Sequence, residues 1–444
     1  MAAHESKSKP LRIGIVGAGI AGLAAAAAFR KEGHEVQIFE SSSMNKEIGA
    51  AIGVTANSLR VLTYQGFDIK NLRAVDYLGM HVYFLHARLT WLDSNGCGRD
   101  SKFDILEDPH NTFGRPGIFC HRSDLHDELK RLATMEERPG IPATIHLKSK
   151  VESCDPATGK LVLKDGEIHH VDLIIGADGI HSTIRTIVLG YEQRALASGR
   201  VAFRCLLETS KLEGREEFDW LLSGMPGARG VSSADGSGRY LFVYLCRDNT
   251  LVNIVAHYPD RRDQEKYGKS FPSQIIYRKH MTLSRTLDWN APATKEELVA
   301  EFSDYSPEYK GLLELVDGPV HLWQIRALPC LPTWINGCAA LIGDAAHATF
   351  PTLGQGAGMA IEDAATLACL LPLGTRTEEI PRRLEAYQTL RKARGEFVLT
   401  ESVEQVIVPS KRGLYSKSRE MQAFIVGHDA VKVAQEYFAT HFST

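Results

Sequence analysis

The sequence predicts an α/β protein. A nucleotide-binding domain with a parallel sheet is interrupted by an inserted antiparallel sheet and followed by C-terminal helices. Three observations carry this. A short apolar strand runs into Gly17-Ala18-Gly19-Ile20-Ala21-Gly22 and then into an alanine-rich helix. Two more short apolar strands, near 171 and 340, each end on a turn of glycine and aspartate. Between them, from about 197 to 330, the texture changes to alternating strands. Nucleotide-type strands therefore come from separate chain segments, and the antiparallel part is inserted between them.

Composition narrows the class. At 444 residues, two or three packed units are expected. The chain is 44% hydrophobic and 24% charged, the balance of a globular protein. A net charge of −3 without long runs of like charge argues against a nucleic-acid surface. The 8 cysteines form no Cys-x-x-Cys and no zinc-like cluster, so reduced thiols in the cytoplasm and no metal site are expected. Residues 13–29 are apolar throughout and follow Lys7, Lys9 and Arg12, the order of a targeting segment. However, Gly14, Gly17, Gly19 and Gly22 would each cost an apolar helix about 1 kcal/mol. The segment is read as strand, turn and helix, and no transmembrane segment is expected.

The elements follow in order. Residues 11–16 read as a buried strand, and 23–31 as a helix stopped by Gly33. Glu35–Phe39 is the next strand and ends at Glu40; right-handed crossover makes the two strands parallel neighbours. A helix is expected at 57–66, and strands at 78–92 and 101–120. Residues 123–133 read as a helix capped by Ser123. Strand-like stretches at 143–152 and 160–164 are joined by Pro156-Ala-Thr-Gly159. Residues 171–175 form a buried strand. Residues 200–208, 239–246 and 251–257 alternate, and 338–342 is a short apolar strand. A helix is expected from about Met359 and another at 378–400; the tail from 404 carries no strong signal.

Each glycine of Gly17-x-Gly19-x-x-Gly22 has its own task. The first turns the chain, the second lets a pyrophosphate approach the backbone, and the third lets helix pack on strand. The helix N-terminus adds N–H groups and partial positive charge. Glu40, 18 residues beyond Gly22, can accept both hydroxyls of an adenosine ribose and would repel a 2′-phosphate. In Gly176-Ala-Asp178-Gly179 the plain reading is an Asx turn with a helix cap. Asp344 ends a strand, where a carboxylate can hold a polyol hydroxyl. The run Gly354-Gln-Gly356-Ala357-Gly358 opens a helix and can aim backbone N–H groups at negative charge.

In this order and spacing, the motifs resemble the class A flavoprotein monooxygenases over most of residues 11–400. The likeness is nearest to the salicylate hydroxylase-like branch, which includes fungal biosynthetic hydroxylases. It implies a p-hydroxybenzoate hydroxylase-like fold. A Rossmann-like FAD-binding domain would span 1–75, 105–190 and 318–375, with a substrate-binding sheet domain at 76–104 and 191–317 and C-terminal helices at 376–444. By the same likeness Gly17, Gly19, Gly22 and Glu40 hold the ADP half of FAD, and Asp178 supports the pyrophosphate region and reduced nicotinamide binding. Asp344 holds the ribityl chain, and Gly356 and Ala357 face the flavin ring. Gly53, in Gly49-Ala-Ala-Ile-Gly-Val, and Arg122, in His121-Arg-Ser, match flavin-side positions. One dinucleotide fingerprint, not two, fits NADPH or NADH as a transient visitor. The implied reaction is aromatic hydroxylation with O2 through a flavin C4a-hydroperoxide.

Arg204, in Val201-Ala-Phe-Arg-Cys, reads either as a solvent-facing strand residue or as a pocket cation that orients a phenolate or acts as a proton donor. By the resemblance, similar fungal enzymes carry a catalytic arginine here. Tyr244 matches a Tyr-Pro-x-Arg strand motif, except that Leu245 replaces the proline, so Tyr240 competes with it. His347 is given no role. Phenols, polyketides and indole alkaloids all suit the branch; an indole would undergo epoxidation and rearrangement. Rival readings are a flavin oxidase without oxygen insertion, a flavin-binding sensor and an NAD-dependent dehydrogenase. A monomer or homodimer is expected.

Overall fold

The structure is a computed structural model and describes residues 9–43, 50–85, 104–105, 113–223, 226–233, 237–260, 290–408, 411 and 418–442. Gly49, Cys97 and most of the strand stretches expected at 86–92 and 101–112 lie outside these residues.

The first sheet has six strands in the order Ile335–Asn336, Ala339–Leu341, Leu173–Gly176, Arg12–Val16, Glu35–Phe39 and Thr144–His146. All neighbours are parallel except the first pair. Ile13, Ile15, Leu173, Ile174 and Ile175 are fully buried, as strands covered on both faces require. The helix Ile20–Lys31 packs against Gly356–Leu370, and its run of small alanines lets the two approach closely. The ends of three central strands, Val16, Gly176 and Leu341, open onto glycine-containing turns at one edge of this sheet.

The second sheet has eight strands: Asn290–Ala293, Val320–Ala327, Leu196–Glu208, Leu251–Pro259, Tyr240–Cys246, Ala228–Ser233, Gly79–Leu85 and Asp104–Ile105. It is antiparallel except where Ala228–Ser233 pairs in parallel with Gly79–Leu85. One face packs on its own core, which includes Val201, Phe203, Cys205 and Leu207 and the helices Lys295–Glu301 and Pro307–Glu314. The other face looks toward the first sheet. Between them a small sheet pairs Ala51–Val54 and Val75–Tyr77 with Gly117–His121.

Four local expectations change. The helix expected from Ser123 starts at Arg122, and its N-cap is His121, whose ring accepts the Ser123 N–H at 3.3 Å. A histidine is outside the usual set of cap residues, so the signal pointed to the neighbouring serine. The stretch 143–152 splits: Thr144–His146 joins the first sheet, and Val151–Asp155 starts a separate three-stranded one. The helix placed near Met359 begins at Gly356. The weakly patterned tail forms two helices, Arg419–Val426 and Ala430–His441. The second packs on Gly356–Leu370, so tertiary contact supplies what the pattern lacked.

Candidate active site

A cleft of about 1840 Å³ lies between the carboxyl edge of the parallel sheet and the outward face of the eight-stranded sheet. Small-molecule pockets run to about 300–1,000 Å³, so this one has room for a dinucleotide and a second molecule. Ligands of open parallel sheets bind at this edge.

The glycine turn forms one wall. Gly17 has φ +101°, and a Cβ there would stand 2.5 Å from the Ala177 carbonyl oxygen. A Cβ on Gly22 would meet the Gly17 carbonyl oxygen at 1.9 Å, whereas one on Gly19 would meet nothing within 4 Å. Gly17 and Gly22 are thus required by the turn itself, and Gly19 keeps a space open in front of it. No side chain caps the helix that starts after Gly19, so its first N–H groups face the cleft. Glu40 accepts the N–H of Ala18 at 2.8 Å and of Ser42 at 2.7 Å. Burial alone would raise its pKa, but these amides outweigh burial and hold it below the ordinary value. His126 Nε2 lies 2.8 Å from the Ala18 carbonyl and pins the turn from behind.

Asp178 performs the plain role read for it. Its carboxylate accepts the N–H groups of Thr183 at 2.7 Å and Ile184 at 3.1 Å, capping Thr183–Leu189, and burial pushes its pKa up. Arg185 donates to the carbonyls of Ile180 at 2.6 Å and Ala345 at 3.2 Å, tying the Asp178 turn to the Asp344 turn. Sequence reading missed this function of Arg185. Asp344 follows Gly343, whose φ is +59°, and looks into the cleft without a hydrogen-bond partner among the described residues. The protein around it still pushes its carboxyl pKa up by burial, against the attraction of His347, Arg122 and Arg185.

The helix Gly356–Leu370 also starts uncapped at the cleft. The side chain of its N-cap, Gln355, is used elsewhere: it donates to Thr55 Oγ1 at 3.0 Å and accepts from Asn57 Nδ2 at 3.1 Å. Behind this terminus lies a buried charge network that the sequence reading did not single out. Glu362 meets Arg391 at 2.7 Å, Arg394 at 2.8 Å and Asn57 at 2.7 Å. Asp363 meets Arg391 at 2.8 Å and His347 at 2.6 Å, and accepts the Gly343 N–H at 3.0 Å. Burial would raise the Glu362 pKa, but Arg391 and Arg394 pull it down to about 2. Its sequence signal was an acid pair inside the apolar run Met359-Ala-Ile-Glu-Asp-Ala-Ala. His347, given no role from sequence, is one of its members.

Gly53, in the small sheet opposite Phe119, and Arg122, whose N–H donates to Ala50 O at 3.1 Å, line the cleft beside these termini.

The facing wall is built from strand register. Ala202 stands opposite His257 on one side and Trp323 on the other; Arg204 stands opposite Val255 and His321. Tyr240, Phe242 and Tyr244 pair with His257, Val255 and Asn253. Period-2 alternation therefore sends Arg204 into the cleft with the aromatic side chains, and the solvent-facing reading fails. The Arg204 guanidinium lies 5.4 Å from the Trp323 ring centroid, and its buried Nε has no hydrogen-bond partner. Burial pushes its pKa down, Tyr244 opposes this and Arg122 adds to it. His257 is pushed down to about 3 by burial and by Arg204 and Arg200, so it is a neutral imidazole at physiological pH.

Both candidate tyrosines line the cleft. Tyr244 stacks on Phe119 with centroids 4.0 Å apart, at the junction with the Gly53 strand. Burial raises its phenol pKa, and Arg204 draws it back. The Tyr240 pKa is also raised by burial; its hydroxyl lies over Gly230. Tyr244 is the one that interacts electrostatically with Arg204. Among the described residues no group of three or more His, Cys, Asp or Glu could hold a metal ion, and no helix is long and apolar enough to cross a membrane.

A family model described as an FAD binding domain matches residues 155–402, and one described as an NAD(P)-binding Rossmann-like domain matches 15–45. The second match falls on the same strand, glycine turn and Glu40 described above. Hispidin-3-hydroxylase of Neonothopanus nambi is 40% identical over 435 residues, covering 96% of this chain and 95% of that protein. Salicylate hydroxylase of Pseudomonas putida is 29% identical over 447 aligned positions, covering 98% and 92%. The crystal structure of CtdE with FAD and a substrate shares the fold at a TM-score of 0.75 and 20% identity, covering 97% of this chain and 98% of that one.

Proposed function

This chain belongs to the class A FAD-dependent aromatic monooxygenases, and within that family we propose that it hydroxylates an extended, electron-rich phenolic metabolite held against Arg204. It binds FAD and uses NAD(P)H to hydroxylate an aromatic ring, as its relatives and their role in fungal secondary metabolism support. The substrate class is the proposal. Hispidin is the model for it, because the hispidin hydroxylase aligns along nearly the whole chain. The observation that carries the reading is Arg204: a half-buried cation whose buried Nε is unpartnered among the described residues, on an aromatic wall, facing uncapped helix termini across one cleft.

The residues fit FAD. The space over Gly19, the uncapped helix after it and the partnerless Asp344 carboxylate suit a pyrophosphate and a polyol chain. Gly17 and Gly22 shape that turn, Glu40 would hold the adenosine ribose, and Asp178 sets the Gly179 turn beside it. Gly356 and Ala357 would offer backbone N–H groups to the electron-rich edge of the ring, with Gly53 and Arg122 flanking it. When bound, FAD supplies the redox chemistry: it accepts hydride from NAD(P)H and activates O2 for insertion of one oxygen atom.

The chain's own residues do the rest. Arg204 donates to the substrate's phenol oxygen and favours its ionised form, which makes the ring more electron-rich. Tyr244, beside it, offers a phenolic O–H that stays protonated. Trp323, Phe242 and Phe119 stack on planar rings and exclude water. The discontinuous domain division described from sequence, a cytoplasmic location and a monomeric or dimeric state complete the proposal. The test is Arg204→Ala. Its FAD content stays at the wild-type level, while hispidin-dependent NAD(P)H oxidation coupled to label incorporation from O2 falls by about 10²–10³. Wild-type rates of product in this variant would refute the role of Arg204.

A further inference from the structure

Among the described residues three cleft-lining side chains keep a buried donor that no protein atom satisfies: Arg204, Arg115, whose Nη1 still donates to Thr63 Oγ1 at 3.0 Å, and Gln405, in the last turn of the helix Ile380–Ile407. Gln405 lines the cleft, is 9% exposed, and its buried Nε2 has no hydrogen-bond partner among the described residues. A buried amide left unsatisfied costs about 1–3 kcal/mol, so its persistence points to a ligand atom that completes it.

The neighbours of Gln405 show why it faces the cleft. Ser402 Oγ accepts the Phe350 N–H at 3.3 Å, and Thr352 Oγ1 donates to the Ser402 carbonyl at 2.8 Å. Both bonds dock this turn on the segment that leads into Gly354. Val403 and Val406 pack with Ala202, Val255, Ile325 and Phe242, on the same sheet face as Arg204. Glu401 and Glu404 bind Lys411 instead. The last turn therefore lies against the substrate wall, with Gln405 as its polar group in the cleft.

We propose that Gln405 is a specificity-determining residue: its side-chain amide hydrogen-bonds a carbonyl or hydroxyl oxygen on the part of the substrate remote from the ring that Arg204 holds. This rests on the proposed reading of an extended phenolic substrate. The chemistry is two-point recognition, with a guanidinium for the reacting phenol and a neutral amide for a second oxygen. A substrate of one ring spans the first point alone. A site built to hydrogen-bond a substrate oxygen discriminates against a ligand that lacks it.

The experiment uses the FAD-loaded enzyme, wild type and Gln405→Leu, titrated with hispidin and with salicylate, reading the flavin absorbance change and KM against kcat. Gln405→Leu is close in volume, and FAD content and melting temperature are recorded as controls for folding. The expected result is hispidin binding weakened about 10-fold through KM, with kcat and salicylate binding unchanged. Equal hispidin affinity in the two proteins overturns the role of Gln405 and leaves the substrate reading standing. A parallel loss for both ligands also overturns it, as a general packing effect. A wild-type enzyme that ignores hispidin overturns the extended-substrate reading and this inference with it.

Discussion

Two sets of arginines in this protein differ in how they are paired. Arg391 and Arg394, behind the helix Gly356–Leu370, are matched by Glu362 and Asp363 at 2.7–2.9 Å. Among the described residues Arg204, on the opposite wall of the cleft, has no carboxylate partner and leaves its buried Nε unpaired. A buried charge inside the scaffold must be met by the protein, by carboxylates here and by backbone carbonyls at Arg30 and Arg185, because desolvation otherwise outweighs what its packing contributes. A charge left short of acceptors is tolerated where a ligand completes it.

The sharpest way to break the comparison is Glu362→Ala. It strands Arg391 and Arg394 in the interior and should cost about 3–5 kcal/mol, read as a shift in the urea midpoint. Arg204→Ala, by contrast, removes a charge without a carboxylate partner and should leave that midpoint unchanged or raise it. Equal destabilisation by the two would dissolve the distinction.

The glycine turn allows the same separation in backbone. Gly19→Val adds a side chain where nothing stands, so the apoprotein should fold while FAD affinity falls by at least about 100-fold, near 2.7 kcal/mol. Gly22→Val would drive a side chain into the Gly17 carbonyl and should lower apoprotein stability as well. Fluorescence titration with FAD and thermal melts of the apoproteins distinguish the two.

A smaller effect tests the tyrosines. Tyr244→Phe should lower kcat about 5-fold, the worth of one hydrogen bond near Arg204, and Tyr240→Phe should change it less. The reverse order would move the substrate's contact to the far strand end.

The last effect is on pH. His257 is pushed down to about 3 and His428 to about 4 by burial, so in the folded state neither protonates near neutrality. In the unfolded chain both take up protons near pH 6.5. The stability tied to their neutral forms is complete above pH 6.5 and declines as pH falls toward 4. Melting temperature should drop between pH 7.5 and 5, and His257→Asn should flatten part of that slope.

Much of the cofactor side was legible in the sequence by itself. Gly17, Gly22 and Glu40 act through backbone conformation and one nearby carboxylate, and local constraints of that kind leave a motif at fixed spacing. The strands at 171–175 and 338–342 were legible too, because burial on both faces makes them apolar runs. Tertiary structure alone decided the rest. Whether Arg204 met solvent or the cleft depended on which face of an eight-stranded sheet lies over the first domain. That Glu362 and Asp363 neutralise arginines from 28 to 32 residues away depended on side chains meeting across elements. Gln405 carried no local signal, since an amide in a charged helix reads as surface until the packing of Val403 and Val406 turns it inward. Backbone requirements are written locally in residue type; the pairing of side chains is set by which surfaces the fold brings together.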